Sequence, residues 1–165
     1  MSKLVRRFCG ILSAIIAYLI VHEGAHLIYA LSIDAFKQIN FLKLGIQIDV
    51  YGEQMSKTQI TIFCLVGAIA TLIIAYVLVS ITDKICKVES KIFKACMYYI
   101  TSAMLLVDPL YLSILYKFVG GGDMNGIALL IPESLARIIF GIILVINAIV
   151  FWKLILPKYK RSFAQ

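Results

Sequence analysis

Long apolar runs, separated by short polar stretches, dominate the sequence. A helix that spans a bilayer needs about 20 mostly apolar residues, and four runs are long enough: Phe8 to Ser32, Thr58 to Thr82, Ala95 to Phe118 and Ser134 to Leu156. The first run also contains three titratable side chains, which a helix facing lipid would not tolerate cheaply. We therefore predict an all-α membrane protein with about four transmembrane helices, in which the polar side of the first helix faces its neighbours.

The connection after the first helix has a different period. From Leu42 to Val50 the chain alternates between apolar and polar residues, with one face formed by Leu42, Leu44, Ile46, Ile48 and Val50. A two-residue period is typical of a half-buried strand. The pattern predicts a small interfacial β element, which ends in a turn at residues 51–53. Two interpretations stay open: a surface hairpin that caps the bundle, or an open strand edge that pairs with an extended peptide.

Composition supports the membrane class. The 165 residues are 62% hydrophobic and 15% charged, whereas soluble domains have about a quarter charged residues and under half apolar ones. This length suits a single integral membrane domain over residues 1–165.

The four cysteines have no CxxC spacing, so we expect packed, unpaired thiols. The basic N-terminus followed by an apolar run is similar to a signal peptide, but we predict a retained helix because no small-residue cleavage site follows.

The basic residues are distributed unevenly between the two sides of the predicted bundle. The formal net charge is +7, but the cations lie in short clusters beside apolar runs, which favours topology and anionic lipid contacts over nucleic-acid binding. One side has Lys3, Arg6, Arg7, Lys84, Lys87, Lys91, Lys94, Lys158, Lys160 and Arg161, and the other has Lys37, Lys43, Lys57 and Lys117. The positive-inside rule predicts a multi-pass protein of the cell membrane with both termini in the cytoplasm.

The first helix contains the sequence His22-Glu23-Gly24-Ala25-His26. Histidines four residues apart project from the same helix face, one turn apart, which suits two ligands of a tetrahedral zinc ion. Glu23 lies close to that face and is the expected general base, because zinc lowers the pKa of a bound water toward about 7 and leaves proton transfer to the protein. The alternative is a pair of buried histidines that neighbouring groups satisfy.

A catalytic zinc needs a third protein ligand and an open position. Asp123, in the glycine-rich segment 120–126, is the leading choice, since glycines let the backbone approach closely and the predicted topology places it on the side of His26. Asp108, before Pro109 in the third helix, is the second choice because its depth is similar to that of His22. Glu133, at the start of the fourth helix, is the third.

These motifs together resemble the site-2 protease family of intramembrane zinc metalloproteases. The likeness covers roughly residues 14–127 and depends on the His-Glu-x-x-His helix, the β-rich segment, the small-residue patch at Gly67 and the later aspartates. By similarity, His22 and His26 would bind zinc and Glu23 would be the catalytic base. In this comparison Asp108-Pro109 stands where the family has Asn and Pro, and Asp123 with Gly126 where it has Asp and Gly.

The sequence therefore predicts a zinc-dependent endopeptidase that cleaves membrane-embedded or membrane-adjacent peptide substrates, with Zn²⁺ held by His22, His26 and Asp123. The alternative is a catalytically silent membrane subunit or a metal-binding transport accessory. Zinc lies near the cytoplasmic face in the family, whereas the charge pattern directs the histidines outward. The substrate, the regulator and the oligomeric state are not encoded in any motif of the chain.

Overall fold

The chain forms a helical bundle with a small sheet beside it. A computed structural model describes residues 2–42, 45–120 and 122–164. Within those residues, four helical segments are long and apolar enough to span a membrane: Lys3–Ser32, Lys57–Ser80, Lys91–Val119 and Glu133–Ala164. A two-stranded sheet follows the first of them. The predicted fold class, an all-α membrane protein with four spans and a β element after the first helix, is confirmed.

The elements follow each other in a simple order. The first half contains α1 (Lys3–Ser32), β1 (Phe36–Leu42), β2 (Gly45–Val50), α2 (Lys57–Ser80) and the short α3 (Thr82–Cys86). The third span consists of α4 (Lys91–Leu110), a π-helical turn (Tyr111–Leu115) and α5 (Tyr116–Val119), and α6 (Gly122–Ile127) follows it. The fourth consists of α7 (Glu133–Val150), a second π-helical turn (Phe151–Ile155) and α8 (Leu156–Ala164).

Serine side chains determine where three of the spans begin. Ser2 and Ser90 each accept a hydrogen bond from the backbone N–H three residues later, and Ser56 forms a capping box with Gln59. Such caps satisfy N–H groups that have no partner within the helix. The first span therefore begins at Lys3, before the predicted Phe8. The fourth span continues through the polar helix α8 to Ala164, past the predicted Leu156.

The stretch from Leu42 to Val50, which the alternation assigned to one strand, contributes to two: Leu42 ends β1 and Gly45–Val50 forms β2. A surface hairpin was one of the two interpretations left open. β1 and β2 form an antiparallel hairpin in which Leu42 pairs with Gly45 and Phe41 with Ile46. Gly45 has a φ of 151°, a conformation that residues with a side chain rarely adopt, so the chain can reverse inside the alternating stretch. Ile48 is buried, while Phe41 is 81% exposed. Lys43 and Leu44, which the alternation assigned to the strand, lie outside the described residues.

Both chain termini lie at the same end of the bundle. The Arg6 guanidinium of α1 lies 5.9 Å from the ring of Phe163 in α8. Gly10 of α1 packs so closely on Tyr99 of α4 that an added Cβ would overlap the tyrosine ring. Small residues allow such close helix approach within membranes. The opposite end of the bundle therefore holds the hairpin, α5 and α6.

Pro109 creates a backbone defect that another helix repairs. Proline has no N–H, so the carbonyl oxygen of Leu105, four residues earlier, lacks its usual helical partner. Asn147 of α7 donates a hydrogen bond from Nδ2 to this oxygen at 2.6 Å, and its Oδ1 accepts one from Tyr76 of α2 at 2.7 Å. Asn147 is fully buried. One amide side chain thus connects α2, α4 and α7.

A double-mutant cycle tests this repair. Asn147→Leu should destabilise the protein by about 1–3 kcal/mol, because it leaves the Leu105 carbonyl buried without a partner. In the Pro109→Ala background the loss should be smaller, since residue 109 then supplies the N–H. SDS titration in mixed micelles gives the free energy of unfolding of the wild type, the two single variants and the double variant. Equal losses in both backgrounds would show that Asn147 acts independently of the proline.

Candidate metal centre

His22 and His26 face the bundle interior from α1. Both are buried, and their Nε2 atoms lie 3.1 Å apart. The spacing of four residues places the rings on one face of the helix, as the sequence predicted. Two imidazole nitrogens therefore point at a common position in an otherwise apolar helix.

Asp123 reaches the same position from α6. Its Oδ2 lies 3.4 Å from Nε2 of His22, and its Oδ1 lies 3.9 Å from Nε2 of His26. Gly120, at a φ of 93°, ends the third span and lets the chain turn back into α6. The Thr61 hydroxyl of α2 then donates a hydrogen bond to the carbonyl of Gly126 at 2.9 Å. This bond holds α6 against the bundle with Asp123 beside the histidines.

The spacing of these donors fits a zinc ion. Zinc–nitrogen distances of 2.0–2.1 Å and tetrahedral angles require donor atoms about 3.3 Å apart. Ligand atoms of His22, His26 and Asp123 all lie within 4.8 Å of one another, and the two shorter distances, 3.1 and 3.4 Å, bracket that requirement. Two imidazoles and a carboxylate also form a donor set that zinc accepts in catalytic sites. The residues present therefore fit the metal that the sequence predicted.

Asp108 contacts the other ring nitrogen of His22. Its Oδ1 lies 3.2 Å from Nδ1 and accepts a hydrogen bond from the Tyr18 hydroxyl at 2.5 Å, while its Oδ2 accepts one from Thr71. The side chain is 1% exposed. A carboxylate at Nδ1 keeps the proton of a neutral imidazole there and directs the Nε2 lone pair to the site. This geometry suits a positioning residue better than a third ligand.

Glu133 is occupied elsewhere. Its Oε1 lies 3.2 Å from Nζ of Lys117, and it accepts a hydrogen bond from Tyr116. The group of possible ligands found in the described part of the chain does not include it. Of the three carboxylates that the sequence offered, Asp123 alone faces both Nε2 atoms. Asp108 contacts Nδ1 of His22, and Glu133 pairs with Lys117 near the end of the third span.

Glu23 lines a cavity beside the histidines. The cavity has a volume of about 670 Å³ and is bounded by α1, the third span, the segment before α6 and strand β2. The backbone amide of Ile48 in β2 lies near the Glu23 carboxylate. The cavity thus brings a carboxylate, two imidazoles and a strand edge together, with room for a peptide segment.

Gly67 provides the space in which the histidine rings lie. A Cβ added at this position of α2 would lie 2.6 Å from Nε2 of His26 and 2.7 Å from Cε1 of His22. The sequence identified Gly67 only as part of a small-residue patch, and it indicated no contact of Tyr18 or Thr71 with the site. Tyr18 precedes His22 by one helical turn, and Thr71 follows Gly67 by one, so helical spacing was the available signal.

Two glycine substitutions separate the steric role of Gly67 from the general effect of glycine on helix stability. Gly67→Ala should destabilise the protein by about 1–3 kcal/mol, because the new methyl group overlaps both rings. Gly24→Ala should be neutral or stabilise by up to about 1 kcal/mol, since the described residues leave open space around its Cβ. SDS-titrated unfolding of the two variants in mixed micelles measures the difference. Equal effects would contradict the proposed contact.

Comparisons with models of protein families, with curated proteins and with solved structures found no match to this chain. The resemblance to the site-2 protease family therefore stays a prediction, supported by the motif at residues 22–26 and by the two aspartates. The geometry adds an observation of its own. Residues from α2, α4 and α6, distant in sequence, converge on the two imidazole rings of α1.

Proposed function

We propose that the protein is an intramembrane zinc-dependent endopeptidase with His22, His26 and Asp123 as metal ligands and Glu23 as general base. One observation carries the proposal: the convergence of two Nε2 atoms and a carboxylate within 4.8 Å, in a helix long and apolar enough to span a membrane. Titratable groups at membrane depth usually mark function, because burying them is unfavourable. His22 lies roughly 15 Å along the helix axis from the C-terminal end of α1 at Ser32, and therefore well inside the span.

The chain's own groups have distinct roles in this proposal. A zinc ion at the site would supply a Lewis acid for the scissile carbonyl and a water of lowered pKa. The Glu23 carboxylate takes a proton from the attacking water and delivers it to the leaving amine nitrogen. Asp108 holds the His22 ring through Nδ1, and Tyr18 and Thr71 hold Asp108. The cavity keeps water at the site, which the bilayer core does not provide.

The strand at the cavity wall supports an extended peptide as the substrate. β2 pairs with β1 along one edge, and its other side borders the cavity at Ile46, Gln47 and Ile48. An extended peptide can add to a strand through backbone hydrogen bonds without a fixed side-chain sequence. A membrane-embedded or membrane-adjacent segment, unwound to an extended form, would then pass Glu23 and the imidazoles.

Metal content of the purified protein tests the ligand assignment. Wild-type protein should hold about one zinc per chain. His26→Ala or Asp123→Ala should lower the affinity by orders of magnitude, whereas Asp108→Asn should lower it about 10- to 100-fold because it orients a ligand rather than binding the metal. Glu133→Gln is the matched control and should have no effect. Zinc retained in Asp123→Ala but lost in Asp108→Asn would reverse the two assignments.

Glu23→Gln tests the catalytic step. The variant should keep zinc but cleave about 100- to 10,000-fold more slowly, because the base acts in the transition state and not in coordination. Cleavage of synthetic membrane-anchored peptides, each with one apolar helix broken by glycine or proline, can be followed by mass spectrometry in micelles. Zinc binding without cleavage by the wild type would favour the silent metal-binding subunit. Equal cleavage by Glu23→Gln would exclude this residue as the base.

The orientation in the cell membrane is a separate proposal. The excess of basic residues at the end that holds both termini supports cytoplasmic termini and a site that opens to the outer half. In a background lacking the four natural cysteines, Asp34→Cys should react with an impermeant thiol reagent on intact cells, and Lys84→Cys should react only after lysis. The reverse pattern would place the site toward the cytoplasm, where the family resemblance expects it.

A further inference from the structure

A second polar feature lies at the opposite end of the bundle from the histidines. α3, the start of α4 and α8 surround a cleft of about 590 Å³. Five cationic side chains line it: Lys87, Lys91, Lys94, Lys158 and Arg161. The lining carboxylates are Asp83 and Glu89, so the cleft has an excess of three positive charges. The proposed zinc chemistry uses none of these residues.

Lys94 distinguishes this cleft from an ordinary basic surface. The residue is only 5% exposed, and its Nζ donates a hydrogen bond to the carbonyl of Ser162 at 2.9 Å. Among the described residues, no carboxylate lies within 4.0 Å of this ammonium group. Buried charges are normally paired. The cleft therefore contains a buried cation whose charge no carboxylate of the described chain neutralises.

The walls of the cleft are fixed by other contacts. The Ser162 hydroxyl donates a hydrogen bond to the Cys86 carbonyl at 2.8 Å, which joins α8 to the end of α3. Lys158 forms an ion pair with Asp83 at 2.8 Å, which neutralises one cation and one carboxylate of the lining. Lys87, Lys91 and Arg161 form no ion pair in the part of the chain that the structure describes. Three exposed cations thus surround the buried one in a preformed cleft.

The position of the cleft favours a ligand that is part of the membrane. Its cations follow directly after the apolar part of the fourth span and precede that of the third, at the depth expected for lipid headgroups. Val88, which lines the cleft, and Ile92 and Phe93 beside it are exposed apolar side chains that acyl chains can cover. A zwitterionic headgroup would bring its own cation among the lysines, whereas an anionic one would not. Charge-assisted hydrogen bonds to phosphate oxygens are stronger than neutral ones.

We propose that this cleft binds the phosphate of an anionic phospholipid headgroup, with Lys91, Lys94 and Arg161 as its principal contacts. The proposal is independent of the zinc site, which lies at the other end of the bundle. Free phosphate shares the recognised chemistry but lacks the acyl chains that the adjacent apolar residues would contact. The expected ligand is therefore the intact lipid.

Thermal unfolding of the full chain in uncharged detergent tests the proposal. Titration with dihexanoyl phosphatidylglycerol should raise Tm to a plateau. Dihexanoyl phosphatidylcholine and inorganic phosphate at the same concentrations should not. In Lys91→Gln/Arg161→Gln the half-saturating concentration of phosphatidylglycerol should rise about 25-fold, at about fivefold per cation. Lys84→Gln/Lys160→Gln removes two cations at the same membrane end outside the cleft, and it should stay within about twofold of wild type.

The outcomes distinguish a lipid from a soluble anion, and a specific site from diffuse attraction to a basic surface. An equal loss in the Lys84 and Lys160 control would overturn the proposal in favour of diffuse attraction to a basic surface. A plateau with phosphatidylcholine would contradict the need for negative charge, and one with inorganic phosphate would assign the cleft to a soluble anion. If Lys91→Gln/Arg161→Gln does not purify, Arg161→Gln alone should shift half-saturation about fivefold, and no shift would overturn the proposal.

Discussion

The absence of water inside a bilayer is the constraint on which this structure depends. Every buried polar group must find its partner within the protein, and Asp108 is the most demanding one because it is a carboxylate with 1% exposure. Its oxygens contact Tyr18 and His22 of α1 and Thr71 of α2. Satisfying this one side chain therefore fixes the relative positions of three helices. The ring of His22 is oriented by the same contacts, so the geometry of the site and the stability of the bundle have a common origin.

Pro109, the next residue, extends the constraint to the fourth span. Its missing N–H leaves the Leu105 carbonyl without a helical partner, and Asn147 of α7 donates a hydrogen bond to that oxygen and accepts one from the Tyr76 hydroxyl. The Pro109 carbonyl accepts a hydrogen bond from the Ser113 hydroxyl at 2.5 Å, within a π-helical turn. π-helical turns inside α-helices frequently occur at functional sites. The Asp-Pro pair thus lies where contacts from all four spans meet.

Local pattern was sufficient for some features and not for others. The spans and the common face of His22 and His26 follow from runs and spacing within one helix, so the sequence predicted them. The hairpin stayed one of two open interpretations because a two-residue period does not show that Leu42 and Gly45 belong to different strands. The contact of Asp108 with Nδ1 of His22, and the space that Gly67 provides, depend on how helices cross. Such contacts between distant residues have no signature in the period of either helix.

The three possible ligands differ in how they are held, and this difference bears on access to the site. The histidines are buried on a 30-residue helix, whereas Asp123 lies in the first turn of the short α6 with its side chain 22% exposed. α6 is anchored to α2 one turn later, at Gly126. A metal that joins Asp123 to the imidazoles would connect α6 to α1, so metal binding would stabilise this end of the bundle as well as the site. The carboxylate side of the site also borders the cavity. His22 and His26 line the same cavity, so in the proposed function a peptide would approach all three ligands from that cavity.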